Sequence, residues 1–268
     1  MIQDLGQTVF DNHFSPHAPA PDSPVLCFSP EGFLAKMDGG ALHYPTFSET
    51  GGPVQYCFSL GGEAYFLGHA DAVPGYTRYG IRTLRTAGPK PAAFAGITGY
   101  HLWRWYRDNA YCGRCGRPLT HAENERALLC ECGNRVYPKL CPAVIVAVRN
   151  SGRVLLTKYS RPDAPWALIA GFAEIGETLE QTVAREVMEE CGLRVKNIRY
   201  YKSQPWGFSG DLLSGFFCDL DGDDAIRLDH AELKTAAWFL PEQIRFADDG
   251  LSLTREMIDV FRRGQDDL

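Results

Sequence analysis

Two groups of side chains in this sequence could do chemistry, and they suit different metals. The first is the run Arg185-Glu186-Val187-Met188-Glu189-Glu190. On a helix, Glu186, Glu189 and Glu190 fall at i, i+3 and i+4 and project together. Like charges so placed repel by roughly 0.2–0.5 kcal/mol per pair, so the arrangement opposes the helix unless a cation neutralises it. Hard carboxylate oxygens of this kind suit Mg²⁺ or Mn²⁺. Glu177 stands just ahead of the run, where Arg185 could pair with it and fix the preceding loop. Taken by itself, an E-x-x-E-E segment is more often a solvated acidic face.

The second group is sulfur. Of nine cysteines, Cys112, Cys115, Cys130, Cys132 and Cys141 crowd together, while Cys27, Cys57, Cys191 and Cys218 sit in apolar contexts and read as small buried hydrophobes. Cys112-Gly-Arg-Cys115-Gly is a C-x-x-C-G knuckle. Fourteen residues later comes Cys130-Glu-Cys132-Gly, one residue shorter than a standard pair. Four thiolates suit structural Zn²⁺ in a closed tetrahedral site. Two alternatives stay open: Cys112 and Cys115 as a redox pair, and Cys141 in place of one ligand from the short knuckle.

The elements that must position these groups follow from periodicity and punctuation. A helix is predicted from Thr178 to Cys191, closed by Gly192, with Ala184, Val187, Met188 and Cys191 as its apolar face. Ala143–Val148 and Val154–Lys158 read as a hairpin turning at Asn150-Ser151-Gly152, and Trp166–Ile169 as a short strand running into Gly171. Further strands are predicted over Ile198–Ser203, Leu212–Leu220 and Thr235–Leu240, with a closing helix over Leu253–Arg263. Upstream, Val54–Leu60 and Ala64–Leu67 are strand-like, set off by Gly51-Gly52 and Gly61-Gly62. Ile97–Arg107 reads as a helix whose Tyr100, Trp103, Trp105 and Tyr106 suit a core or an interface. Strands interrupted by helices place the chain in the α/β (α+β) class. The expected division is an N-terminal mixed α/β domain over 1–107, a zinc ribbon over 108–142 and a catalytic domain over 143–268.

Composition narrows the function. With 45% apolar and 22% charged residues the chain reads as soluble and globular, and no stretch has the apolar length to span a bilayer. Met1–Phe14 lacks the basic-then-apolar pattern of a secretory signal, so a cytoplasmic protein without a membrane partner is expected. A net charge of −6 gives no support to a general nucleic-acid binder, though a local basic patch could still hold an RNA.

The pattern Gly171-x5-Glu177-x7-Arg185-Glu186-Val187-x-Glu189-Glu190-x-Gly192-Leu193 resembles the signature box of the Nudix hydrolases at every defined position. That resemblance implies a loop–helix–loop catalytic unit on an α/β/α sandwich, hydrolysing nucleoside diphosphates linked to another moiety. It implies Glu186, Glu189 and Glu190 as the catalytic set. Mg²⁺ or Mn²⁺ would be held by Glu186, Glu190, the Ala170 carbonyl and the late Glu232. A zinc ribbon of Cys112, Cys115, Cys130 and Cys132 directly before such a domain resembles the NADH pyrophosphatase branch, also known for removing NAD caps from RNA. That branch carries an S-Q-P-W-P-F-P-x-S motif. Here Ser203, Gln204, Pro205, Trp206 and Phe208 agree, while Gly207, Ser209 and Asp211 stand in place of proline, proline and serine. The resemblance implies substrate contacts from Gln204 to Ser209 and at Asp211, with Arg82, Glu125 and Tyr137 upstream, and a homodimer. The expected reaction is cleavage of NAD(H) to NMN(H) and AMP, with an NAD-capped RNA 5′ end as a larger substrate. ADP-ribose or dinucleoside polyphosphates are the rival substrates. A zinc-ribbon nucleic-acid-binding module with an inactive catalytic domain is the rival of another class.

Overall fold

The computed structural model describes residues 1–161, 163–229, 233–246 and 248–266. The chain is mixed α/β and divides into two compact units. One comprises Ile2–Lys139 with Gly207–Gly210; the other comprises Met1, Leu140–Trp206 and Asp211–Leu268.

The first unit is built on a seven-stranded sheet. Its strands are β1 (Phe10–Asp11), β2 (Val25–Ser29), β3 (Gly32–Asp38), β4 (Ala41–His43), β5 (Gln55–Leu60), β6 (Glu63–Gly68) and β7 (Thr77–Tyr79). They are ordered β1-β5-β6-β2-β3-β4, with β7 paired to β3. The two expected strand runs form β5 and β6, which pair across Gly61-Gly62, both at positive φ (62° and 85°), the turn whose twist matches a hairpin. A short helix α1 (Phe47–Thr50) precedes α2 (Lys90–Asp108). Helix α2 starts well ahead of the expected Ile97 because Pro91 lies in its first turn, where the missing N–H has no intrahelical partner to lose. Phe94, Ile97, Leu102 and Trp105 face inward from it. A three-stranded antiparallel sheet completes the unit, with β8 (Thr120–His121), β9 (Leu128–Leu129) and β10 (Arg135–Val136) in the order β10-β9-β8.

The second unit is the expected three-layer sandwich. Its elements are β11 (Cys141–Asn150), β12 (Arg153–Tyr159), β13 (Ile169–Phe172), α3 (Leu179–Cys191), β14 (Val195–Trp206), β15 (Asp211–Leu220), β16 (Leu233–Phe239) and α4 (Leu253–Arg262). The sheet order is β14-β15-β11-β12-β16, with β13 also paired to β11. The pair β11–β15 is parallel; the others are antiparallel. Side chains of β11 alternate between the two layers. Val144, Val146 and Val148 join Val183, Val187 and Cys191 of α3, whereas Ile145 and Ala147 join Leu253, Met257, Ile258 and Phe261 of α4. Each large aliphatic side chain so buried contributes about 1.5–3 kcal/mol.

Two expectations are corrected here. The strand before the carboxylate helix is Ile169–Phe172, not Trp166–Ile169, so Gly171 lies within the ladder opposite Val144. Glycine is a weak strand former, and its presence masked the continuation. The strand expected to end at Ser203 runs further. Strand β14 runs through Trp206, and only Gly207–Gly210 forms the turn into β15. Pro205 is tolerated because β14 is an edge strand. Among the described residues, no helix is long and apolar enough to cross a membrane.

Candidate functional site

The second unit gathers its carboxylates on α3. Thr178 caps the helix through its hydroxyl, which accepts from the Gln181 amide at 3.2 Å, while the Gln181 side chain accepts from the Thr178 amide at 2.8 Å. Gly192 ends the helix in the left-handed conformation (φ 66°). Between these caps the apolar face differs from the expected one. Val183, Val187 and Cys191 are fully buried, whereas Ala184 and Met188 are exposed. The helix is turned by one residue step, roughly 100°. That rotation carries Glu186 and Glu190 to the inside, at 9% and 3% exposure, and leaves Glu189 outside. The three glutamates therefore do not share one solvent face. Binary patterning gives way here, as it commonly does where a site must hold charge.

Burying carboxylates is costly unless cations or donors compensate them. Part of the compensation comes from Arg185. Its Nη1 donates to Glu186 Oε1 at 2.7 Å and to Glu189 Oε2 at 2.9 Å, its Nε to Glu177 Oε1 at 2.7 Å, and its Nη2 to the Phe172 carbonyl at 2.8 Å. One guanidinium thus ties strand end, loop and helix together. Glu177 also accepts from the Thr182 hydroxyl and the Glu174 amide. Its pKa falls to about 2, first through the Arg185 bond and then through the Glu174 amide. Glu177 is an anchor of the loop, as expected from its spacing to Arg185.

Gly171 shows why the motif begins with glycine. A Cβ at this position would fall directly on the Glu186 carboxylate. Strand β13 and helix α3 therefore approach so closely that only bare backbone fits beneath Glu186. Ala170 is the adjacent strand residue, half-buried opposite Ile145. Buried Glu186 and Glu190, with an all-oxygen donor set and no room for a side chain between strand and carboxylate, fit a hard divalent cation. Glu232 lies outside the described residues.

Of the other expected contacts in this unit, Gln204 is the clearest departure. It is wholly buried. Its Nε2 donates to the Leu251 carbonyl at 2.8 Å and its Oε1 accepts from the Leu253 amide at 2.7 Å, so both ends of the amide serve the start of α4. Nothing in the sequence marked this, because a buried glutamine and a ligand-binding one look alike. Pro205 is exposed, Trp206 half-buried and Asp211 buried at the start of β15.

Gly207, Phe208 and Ser209 group with the first unit. There the Arg104 guanidinium donates to the Phe208 carbonyl at 3.2 Å, and that of Arg85 lies 5.9 Å from the Phe208 ring centre. Ser209 is exposed in the turn. Arg82 is exposed on a short 3₁₀ helix, Ile81–Arg85. Glu125 and Tyr137 come together around Arg135, which is ion-paired to Glu125 and lies 3.5 Å from the Tyr137 hydroxyl.

The first unit also holds the sulfur site. The thiol sulfurs of Cys112, Cys115, Cys130 and Cys132 all lie within 4.8 Å of one another, with Cys112–Cys132 at 3.7 Å and Cys115–Cys130 at 3.4 Å. Tetrahedral Zn–S bonds of about 2.3 Å require sulfurs about 3.8 Å apart, so the four fit a zinc ion. Cys141 opens β11 and is not a member of this cluster. The short knuckle works because its turn is tighter. Gly116 N–H bonds back to the Cys112 carbonyl across four residues, whereas Gly133 N–H reaches the Cys130 carbonyl across three. Both glycines have positive φ (73° and 83°). Backbone amides favour the thiolate: at Cys112 burial pushes the pKa up, but the Arg114 and Cys115 amides bring it down to about 6. Cys115 is lowered by the backbone and side chain of Arg117.

Comparison with known proteins agrees with this geometry. Residues 139–261 match the model of the NUDIX domain. An NAD-capped RNA hydrolase NudC from Klebsiella pneumoniae is 42% identical over 163 residues, covering 60% of this chain and 63% of that protein. One from Escherichia coli is 40% identical over 163 residues with the same coverage. The chain thus spans about 63% of the length of the curated relatives it matches. Among solved structures, a NUDIX hydrolase from Nitrosomonas europaea superposes with a TM-score of 0.50 at 24% identity, covering 58% of this chain and 91% of that one. That likeness is one of fold.

Proposed function

We propose that this chain, a member of the Nudix hydrolase family, cleaves the pyrophosphate bond of NAD(H) to NMN(H) and AMP, and removes the NAD cap from RNA. The observation that carries the reading is the inward-turned pair Glu186 and Glu190, seated against Gly171 and flanked by Arg185. Glu186, Glu189 and Glu190 form the catalytic set. Glu186 and Glu190, with the Ala170 carbonyl and Glu232, would hold Mg²⁺ or Mn²⁺. Such a cation neutralises the diphosphate and lowers the pKa of an attacking water.

The chain's own part is preorganisation. Arg185 fixes the Glu177 loop and the Glu186 rotamer before substrate arrives, so little reorganisation is left for the reaction. Pro205, Trp206, Gly207, Phe208, Ser209 and Asp211, with Arg82, Glu125 and Tyr137, are the residues proposed to receive the dinucleotide. Structural Zn²⁺ on Cys112, Cys115, Cys130 and Cys132 would fix the ribbon. The same reading makes the protein a cytoplasmic homodimer. Identity to proteins named NAD-capped RNA hydrolase supports the choice of substrate.

The test is a substrate panel. Initial rates in Mg²⁺ or Mn²⁺ on NADH, ADP-ribose, diadenosine polyphosphates and an NAD-capped RNA should rank NADH and the capped RNA first. A clear preference for ADP-ribose or a dinucleoside polyphosphate would overturn the assignment.

A further inference from the structure

Strand β14 carries Pro205 and Trp206 at its end, yet it lies at the edge of the sheet, paired on one side only, with β15. Its last residues, Ser203 to Trp206, pair in register with Ser214 to Asp211 of β15, but an edge position and a proline without an N–H leave them anchored by the ladder from one side. Ahead of this stretch the register against β15 is irregular, with shifts between Lys196 and Arg199 and between Tyr200 and Ser203. Side chains of this strand add a second attachment, to α4. The Tyr201 hydroxyl donates to Glu256 Oε1 at 2.8 Å, and Lys202 Nζ donates to the same oxygen at 2.6 Å. Gln204 then takes both the Leu251 carbonyl and the Leu253 amide. Leu253 is the first residue of α4 and Glu256 lies in its first turn, so every one of these bonds ends on the beginning of α4 or the segment leading into it. Helix α4 itself is fixed in the core by Leu253, Met257 and Ile258, each fully buried.

We infer that Gln204 is a positioning residue: it clamps the end of β14 to the start of α4, and so sets where Pro205 and Trp206 stand for the substrate without touching it. The inference rests on the proposed reading only in taking Pro205 and Trp206 as part of the substrate site. The geometry favours Gln204 over the other clamp residues as the controlling contact. It is fully buried, it uses both ends of its amide, and it directly precedes Pro205. A dipolar side chain that bonds a carbonyl and an amide of one segment fixes both distance and orientation, as a single hydrogen bond does not.

The test compares the wild-type protein with Gln204→Met, which keeps the volume and removes both bonds. Hydrogen exchange should show deprotection in segments 203–211 and 249–254. Kinetics on the best dinucleotide should show KM raised about tenfold with kcat changed less than about twofold, the pattern of lost substrate positioning without loss of the chemical step. Tyr201→Phe, which removes one bond of the clamp at a half-buried position, should move both readouts the same way by a smaller amount, and carries the test should Gln204→Met not fold. Unchanged exchange in both segments would sink the clamp. Local deprotection with unchanged KM would sink the positioning role, and a fall in kcat at constant KM would mean that Gln204 meets the reacting group. If the wild-type protein prefers another nucleoside diphosphate to NADH, the substrate assignment fails, and the KM–kcat split is read on that compound instead.

Discussion

The carboxylate helix and the cysteine knuckles both concentrate side chains that could hold a cation, but they are organised in opposite ways. The knuckles place four sulfurs of one kind on two tight turns, and backbone amides, with the Arg117 side chain, prepare them. The helix carries its three carboxylates on one regular element, two turned inward and one outward, and its own Arg185 and the bare backbone of Gly171 in the preceding strand make the arrangement tolerable. A four-thiolate shell leaves a metal no open position, so it can only hold the fold together. A half-compensated set of carboxylates would leave a cation free to meet the proposed diphosphate. The contrast is between a cluster closed off by the protein and one that the protein leaves partly uncompensated.

That contrast can be broken at several points. Replacing Glu190 by glutamine should lower pyrophosphatase turnover on the order of 10³-fold, because several kcal/mol of transition-state stabilisation are lost with the cation. The melting temperature should stay level or rise, since a buried charge becomes neutral. Turnover within tenfold of wild type would remove Glu190 from the catalytic set. Gly171→Ala should come next. Displacing the Glu186 carboxylate by about 1 Å should lower kcat/KM about 10²-fold, and an unchanged rate would show that the strand can retreat without moving the ligand.

On the closed side, Cys132→Ser should abolish zinc binding, read by metal analysis against about one zinc per wild-type chain, and should strip amide protection from residues 110–137. Retention of zinc at full occupancy would mean that the shorter knuckle contributes only one ligand. The smallest effect is expected at Glu177. Its carboxyl is held near pKa 2 by Arg185, below its ordinary 4.5. The stability this confers is present above about pH 4.5 and is lost as pH falls towards 2. Glu177→Gln should therefore lower the melting temperature modestly at pH 7 and flatten its acid limb between those values, and an unchanged acid limb would show that the Arg185 pair adds no stability.

How far the sequence foretold this depended on whether the signal was local. The caps of α3 and the turns at Gly61-Gly62 and Ser151-Gly152 are set by residues next to one another, and they stand where the pattern placed them. The rotation of α3 is not local. Ala184 and Met188 fit a helical stripe as well as Val183 does, and only the sheet decides which stripe is covered. The same holds for Gly171 and Pro205, which look like breaks in a strand until a close carboxylate and a sheet edge explain them. Gln204 is the extreme case, since its partners Leu251 and Leu253 are distant in sequence and offer only backbone atoms, which leave no trace in residue type.

The unequal knuckles carry a consequence for how such ribbons vary. At both, what returns the chain is a glycine of positive φ immediately after the second cysteine, and the number of residues between the sulfurs merely selects a three- or four-residue closure. Spacing is then the adjustable quantity and the trailing glycine the constant one. A one-residue insertion between Cys130 and Cys132 turns one kind of closure into the other, whereas losing Gly133 leaves neither available.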